Sequence, residues 1–156
     1  MDILEKVSAT IRKHNMLYNG DTVLVGLSGG PDSVCLLTVL HRLKLDISRR
    51  AVARLHAAYI DHGLRPLETP SEIDFCRKLC LGLDIPFHLK SIDVTSFAAE
   101  KKLNKQEAAR VLRHLAFEGL AAGFKANSIA LGHNLNDNVE TLLMRILRGA
   151  GPRGLS

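Results

Sequence analysis

The fold is decided by residues 23–37, which read VLVGLSGGPDSVCLL. An apolar run rich in valine enters this stretch, glycine and hydroxyl residues make a turn, and an apolar pattern resumes at Val34. The stretch therefore predicts a strand, a loop and a helix in that order. The first backbone N–H groups of such a helix lack partners within it, and the helix dipole adds partial positive charge, so the loop favours an anionic ligand.

The residues of this loop indicate a phosphate group and a cation. Gly29 and Gly30 let the backbone close around phosphate oxygens, and Ser28 and Ser33 add hydroxyl donors. A carboxylate at Asp32 repels phosphate unless a cation lies between them. Asp32 is therefore predicted to be a Mg²⁺ ligand.

Three other interpretations of the loop lead elsewhere. The P-loop of kinases and GTPases needs a Lys followed by Ser or Thr after its last glycine, and this sequence has neither. Residues 26–30, GLSGG, match the hydrolase pattern G-x-S-x-G, but ordered Asp and His partners for a nucleophile are not evident in so short a chain. From composition alone, an ordinary glycine-rich connection stays open.

Length and composition limit the class of protein. With 156 residues, 46% of them hydrophobic and 24% charged, the chain is expected to form one globular domain over residues 1–156. Its apolar runs are shorter than the ~18 residues that span a bilayer, and its N-terminus lacks the pattern of a signal peptide, so a cytoplasmic protein without a membrane partner is expected. A net charge of +5 favours a polyanionic partner, although such a charge also occurs in proteins that never meet nucleic acid.

Apolar patterning along the chain predicts strands that alternate with helices. The predicted strands are 22–27, 52–60, 85–89 and 128–131. The predicted helices are 3–11, 33–44, 69–83, 95–102, 104–122 and 136–147. The stretch TPSE at 69–72, which ends at Glu72, is the predicted capped start of the third helix, and Asn104 is the predicted cap of the fifth. This alternation is typical of an α/β fold with a parallel sheet and right-handed crossovers.

Candidate site residues follow three of the predicted strands: the loop at 28–33, DHGLR at 61–65 and GHNLND at 132–137. Ligands of open α/β sheets bind at the carboxyl ends of the strands, beside the switch in strand order, so these segments are expected to meet. The second segment places the carboxylate of Asp61, the imidazole of His62 and the guanidinium of Arg65 together. A polar surface turn would have the same composition.

Two pairs of charged residues share helix faces in this prediction. Asp137 and Glu140 are three apart near the start of the last predicted helix, a spacing that suits Mg²⁺ or a helix cap. Arg110 and Arg113 are also three apart, and their guanidinium groups suit phosphate.

Four stretches resemble the signatures of a known family. The loop SGGPDS at 28–33 resembles the PP-loop of the ATP pyrophosphatases, which adenylate a substrate and release pyrophosphate. Residues 61–65 and 132–149 are similar to the second and third signatures of the tRNA(Ile)-lysidine synthetases, which are PP-loop enzymes. The stretch EAARVLR at 107–113 resembles the helix with two arginines in the same family.

This resemblance implies a fold and a reaction. The implied fold is a Rossmann-like parallel sheet with helices on both faces, as in the adenine nucleotide alpha hydrolases. The implied activity is that of a ligase using ATP and Mg²⁺: ATP adenylates the C2 oxygen of the wobble cytidine of tRNA(Ile), and the amine of L-lysine then displaces AMP to give lysidine. Members of the family are longer, so the chain is expected to be a fragment of a longer protein, and a homodimer is one expected assembly.

The resemblance also implies roles for individual residues. The implied catalytic residues are Asp32, Arg113, His133 and Asp137. The implied nucleotide-binding residues are Ser28, Gly29, Gly30, Asp32, Ser33, Asp61, His62, Arg65 and Arg110. The implied Mg²⁺ ligands are Asp32, Asp137 and Glu140. The usual form of the third signature differs from this chain at Asn134, Asn136 and Asn138.

Two alternative functions stay open at this point. One is a PP-loop tRNA thiolase, which would bring cysteine pairs for zinc or an iron–sulfur cluster. Cys76 and Cys80 could begin such a site, but a structural zinc site needs two more ligands, and burial as small hydrophobic residues is favoured. The other is a nucleotide-binding module without turnover.

Overall fold

The computed structural model describes residues 2–18, 20–45, 54–134 and 142–148, with positions 45, 133, 134 and 142–148 described by their backbone only. Its helices are α1 (Ile3–Lys13), α2 (Pro31–Leu45), α3 (Thr69–Gly82), α4 (Val94–Lys101) and α5 (Lys105–Gly123). Its strands are β1 (Thr22–Gly26), β2 (Arg54–Asp61), β3 (Phe87–Ser91), β4 (Ser128–Asn134) and β5 (Leu142–Arg148). The four predicted strands and the first five predicted helices are confirmed to within three residues at each described end, while the predicted start of the second strand, 52–53, lies outside the described residues.

The described strands form one sheet in the order β3-β2-β1-β4-β5. Strands β1 to β4 pair in parallel, which confirms the predicted α/β fold. The strand order changes direction at β1, since β2 and β3 lie on one side of it and β4 on the other. The carboxyl ends of β1 and β4 therefore border the crevice in which open α/β sheets bind their ligands.

The prediction of a last helix over 136–147 is wrong at residues 142–147, where the structure has a strand. Residues 136–141 lie outside the described residues. Leu142–Arg148 forms β5, which pairs antiparallel with β4, so the sheet is mixed rather than wholly parallel. The Leu, Met and Arg residues of this segment favour a helix, but that preference spans less than about 0.7 kcal/mol per residue. Pairing along the whole of β4 satisfies backbone groups that would otherwise be open at the sheet edge, and this outweighs the local preference.

Helices cover both faces of the sheet, as the family resemblance implies. In β1, Val23 and Val25 pack into the core formed with α1, α2 and α3, whereas Leu24 points to the opposite face, where it packs with Phe117 of α5. Helix α4 packs on α5 through a smaller apolar cluster that includes Val94. None of the described helices combines the length and apolarity that crossing a membrane requires.

The starts of two helices test the predicted caps. The side-chain oxygen of Asn104 accepts a hydrogen bond from the backbone N–H of Glu107 at 2.8 Å, which confirms Asn104 as the cap of α5. Helix α3 starts at Thr69 as predicted, but it has no side-chain cap. The hydroxyl of Thr69 instead donates a hydrogen bond to the carbonyl of Arg65 at 2.6 Å and so connects the helix to the preceding turn.

Two histidines stack on the α5 face of the sheet. The Nδ1 atom of His56 in β2 lies 3.1 Å from the Nε2 atom of His88 in β3, and both rings lie against Phe124 at the end of α5. Burial and then the charge of Arg54 lower the pKa of His56, while burial and then His56 lower the pKa of His88. Both imidazoles therefore fold in the neutral form.

Acid is expected to destabilise the protein through this stack. An unfolded histidine titrates near pH 6.5, so the stability that the neutral pair contributes is complete above that pH and is lost as the pH falls through 6.5 towards the lower folded-state values. Thermal melts between about pH 7.5 and about pH 5 should show a falling midpoint. The slope should flatten in His88→Phe, which keeps an aromatic ring but cannot be protonated, and should persist in the exposed control His14→Gln. Equal slopes in both variants would contradict this account.

Candidate functional site

A cavity of about 340 Å³ opens at the carboxyl ends of β1, β2 and β4. Its wall comes from the ends of these strands, the loop after β1, the turn before α3 and one side of α5. The predicted site residues in this wall are Ser28, Ser33, Asp61, His62, Arg65 and Arg113. Segments far apart in the sequence thus meet in one space beside the switch in strand order.

The other predicted site residues lie elsewhere or outside the description. Those that the structure describes but that do not line the cavity are Gly29, Gly30, Asp32 and Arg110. His133 is described by its backbone only, as part of β4. Asp137 and Glu140 lie outside the described residues.

Ser33 holds the glycine loop in shape. Its hydroxyl donates to the carbonyl of Gly30 at 3.0 Å and accepts the backbone N–H of Ser28 at 3.1 Å. Because a hydroxyl has a single proton, the 3.1 Å contact between the two side chains is a bond that Ser28 donates to Ser33. Ser33 is only 3% exposed. Ser33 therefore orders the loop, and the exposed hydroxyl of Ser28 can bind a ligand by turning its proton away from Ser33.

Gly29 gives the loop its unusual backbone. Its φ of +80° lies in the region that side chains rarely adopt. A Cβ atom on Gly29 would lie 3.5 Å from Sγ of Cys76 and 3.8 Å from Cβ of Glu72. The loop therefore rests on the first turns of α3.

Gly132 allows β4 to approach the loop. Because β4 extends past its predicted end at 131, Gly132 is a strand residue rather than a loop residue. A Cβ atom on Gly132 would lie 3.2 Å from the backbone C and O atoms of Asp32 and 3.2 Å from the N atom of Ser33. Backbone atoms yield little, so this approach requires glycine. The sequence places Gly132 in the candidate segment 132–137 but does not predict this contact, because nothing near it in the sequence indicates an approach to α2.

The turn after β2 presents a neutral imidazole to the cavity. The Oδ1 atom of Asp61 accepts the backbone N–H of Gly63 at 2.8 Å and so closes the turn. His62 lines the cavity, and its Nδ1 atom is buried without a hydrogen-bond partner among the described residues. Burial, and then the charge of Arg113, lower the pKa of His62 against the smaller opposing effect of Asp61. The ring can therefore serve a ligand as a neutral hydrogen-bonding group.

The two arginines of α5 take different positions. Arg113 lines the cavity and is half-buried, whereas Arg110 is exposed and lies outside the cavity wall. Burial, and then the charge of Arg110, lower the pKa of Arg113. Arg113 remains a cation at neutral pH, because even a lowered arginine pKa stays far above 7. It places a partly desolvated positive charge where an anionic ligand would bind.

A chain of polar contacts along the cavity was not indicated by the sequence. The hydroxyl of Tyr59 donates to Oε2 of Glu72 at 2.7 Å, and the same oxygen lies 3.5 Å from a terminal nitrogen of Arg65. The other terminal nitrogen of Arg65 lies 3.3 Å from Oε2 of Glu68. Tyr59 and Arg65 both line the cavity. The carboxylate of Glu72 thus joins a buried strand residue to an exposed turn residue.

Cys76 and Cys80 are buried in the core between α3 and the sheet, as the sequence favours. Burial chiefly raises the pKa of Cys76 to about 12 and that of Cys80 to about 11. Both side chains are therefore protonated thiols at neutral pH, and a thiolate is the form that binds metal.

The fold and the cavity define a class of protein, the doubly wound α/β domains whose site lies at a strand–loop–helix junction beside the switch in strand order. Residues 3–156 match the family described as the PP-loop domain. The chain belongs to the PP-loop domain family.

Two relatives of similar sequence carry the same name. The chain is 46% identical to the tRNA(Ile)-lysidine synthase of Clostridioides difficile (strain 630), over 98% of this chain and 32% of that protein. It is 39% identical to the tRNA(Ile)-lysidine synthase of Caldanaerobacter subterraneus subsp. tengcongensis, over 98% of this chain and 32% of that protein. The chain spans about a third of the length of these curated relatives.

Solved structures with the same fold are more distant in sequence. The U34-tRNA thiolase NcsA from Methanococcus maripaludis, solved with its 4Fe-4S cluster, has a TM-score of 0.67 and 22% identity over 84% of this chain and 46% of that one. An NH3-dependent NAD synthetase from Campylobacter jejuni has a TM-score of 0.57 and 21% identity over 83% of this chain and 56% of that one. At these identities the likeness concerns the fold.

Proposed function

We propose that residues 1–156 form the ATP-binding domain of an enzyme that adenylates the wobble cytidine of tRNA(Ile) and ligates L-lysine to it. The observation that carries the proposal is the cavity, which brings Ser28 of the glycine loop, His62 and Arg113 into one space. The similarity to proteins named tRNA(Ile)-lysidine synthase over 98% of the chain supports the choice of reaction within the PP-loop family.

In this proposal the protein contributes position and charge. The backbone N–H groups of the loop and of the first turn of α2, together with Ser28, bind the departing pyrophosphate. Arg113 stabilises the charge that develops when the cytidine oxygen attacks the α-phosphate. His62 and Arg65 line the side of the cavity that takes the adenosine or the cytidine. The lysine amine then displaces AMP from the activated base.

A Mg²⁺ ion fits the chemistry of the loop. Asp32 offers a carboxylate in the first turn of α2, and Mg²⁺ is commonly held by one or two carboxylates together with substrate phosphates. The described part of the chain contains no group of three or more His, Cys, Asp or Glu side chains placed to hold a metal. The remaining ligands would be phosphate oxygens, water, and the proposed ligands Asp137 and Glu140. When bound, the ion offsets phosphate charge.

The proposed function is tested with the full-length protein, ATP, L-lysine and a minor isoleucine tRNA. Mass spectrometry of the digested tRNA should show the wobble cytidine carrying lysine. Pyrophosphate should appear only when tRNA is present, and AMP only when both tRNA and lysine are present. Sulfur in place of lysine would identify a thiolase, and ATP binding without AMP release would identify a module without turnover. Such an enzyme would work in the cytoplasm. The isolated 156-residue chain is expected to bind ATP but to form little lysidine.

A further inference from the structure

We propose that Glu72 is a positioning residue that holds the guanidinium of Arg65 at the wall of the cavity, and that Tyr59 in turn holds Glu72. The proposal rests on the function proposed above. It assigns a role to two residues outside the motifs of the sequence.

Tyr59 is a rigid anchor. It lies in β2, is 6% exposed, and donates its hydroxyl to Oε2 of Glu72 at 2.7 Å. Burial, and then the hydrogen bond to Glu72, raise the pKa of Tyr59, so the hydroxyl remains a donor across the physiological range. The Glu72 side chain is 29% exposed. The hydrogen bond from Tyr59 therefore fixes the position of the Glu72 carboxylate.

Arg65 needs such an anchor, because it lies in a turn and its side chain is 62% exposed. Ordering a long charged side chain loses conformational entropy, and an ion pair with the equally exposed Glu68 offsets little of that loss. The Oε2 atom of Glu72, 3.5 Å from Arg65, comes from a carboxylate that is already ordered. Glu72 and not Glu68 is therefore the partner that sets the position of Arg65.

The arrangement leaves Arg65 able to bind a ligand. A guanidinium has five N–H donors, and the two carboxylates contact its two terminal nitrogens, so further donors stay available to the cavity. Glu72 also lies next to the glycine loop, since a Cβ atom added to Gly29 would be 3.8 Å from the Cβ atom of Glu72 and 4.0 Å from its carbonyl oxygen. Glu72 thus lies between the loop and Arg65.

The test uses Glu72→Gln in the full-length protein, because glutamine keeps the length and can still accept the Tyr59 hydrogen bond but loses the charge. The specificity constant kcat/KM for ATP in tRNA- and lysine-dependent AMP release should fall roughly tenfold, a coupling of the size found within charge networks. Glu68→Gln, which removes the other carboxylate next to Arg65, should change it less than twofold. In an Arg65→Ala background, Glu72→Gln should cause no further loss.

The background experiment separates positioning from a structural role. If Glu72→Gln lowers kcat/KM equally with and without Arg65, or if Glu68→Gln has the same effect, the proposal is overturned. If the unaltered protein releases no AMP, the proposed function fails instead. The same four variants are then compared by their affinities for ATP and for the tRNA, and the positioning role is overturned if both affinities are insensitive to Glu72→Gln.

Discussion

Replacing Gly29 with alanine is expected to weaken ATP binding at least about tenfold. The cause is the backbone, because a φ of +80° costs an L-residue about 1–2 kcal/mol, whereas the contacts of the new Cβ atom, 3.5 Å from Cys76 and 3.8 Å from Glu72, are ordinary. The loop can relieve this strain only by rotating peptide groups, which moves the N–H donors that bind phosphate. A displacement of about 1 Å in catalytic groups can lower a reaction rate about 100-fold, so donors displaced from the phosphates are expected to bind ATP more weakly. Isothermal titration calorimetry with ATP measures the effect.

Gly20→Ala is the matched control for backbone strain. Gly20 has a φ of +95° and lies before β1, away from the cavity, with no atom within 4 Å of its hypothetical Cβ. Both variants should lose stability in thermal melts, but only Gly29→Ala should lose ATP affinity. Equal affinities in the two variants would show that the loop does not hold the phosphates through its backbone.

The strands and helices that form the parallel part of the sheet could be predicted because their signals are local. The valine-rich run before Gly26 and the Asn104 cap each report on neighbouring residues, and both are confirmed. The segment Leu142–Arg148 shows the opposite case. Its residues favour a helix, while its strand conformation comes from pairing with the edge of β4, and the pattern of residues 142–148 does not itself indicate that pairing.

In the candidate site, too, some features could be predicted from local signals and others could not. Residues placed directly after a strand, such as Ser28, Asp61 and His62, could be predicted to meet, because strand ends of a parallel sheet lie at one edge. Contacts between helices, strands and turns could not be predicted from the sequence. Glu72 was assigned to a helix start, yet its carboxylate joins β2 to the turn after it. The sequence also could not show which of Arg110 and Arg113 reaches the cavity, because a three-residue spacing only places the two side chains on one helix face.

Replacing Arg113 with glutamine is expected to slow tRNA- and lysine-dependent AMP release by about 10²–10³-fold, the usual cost of removing one donor that stabilises transition-state charge. The charge of Arg113 is half-buried in the cavity wall, where screening by water is reduced and an approaching phosphate interacts with it more strongly than in solution. Glutamine keeps much of the side-chain length, so the loss reflects charge. Single-turnover measurement of AMP formation reports this loss of rate, because it does not depend on the release of products from the enzyme.

Lys105→Gln removes an exposed positive charge from the start of the same helix and is the matched control. It should leave the rate within about twofold, since exposed charges are screened beyond about 10 Å. Arg110→Gln should fall between the two, because Arg110 is exposed but close enough to affect the pKa of Arg113. A rate loss shared by Lys105→Gln, or one that tracks a lower melting midpoint, would mean that Arg113 acts through general charge or folding rather than on the reacting phosphate.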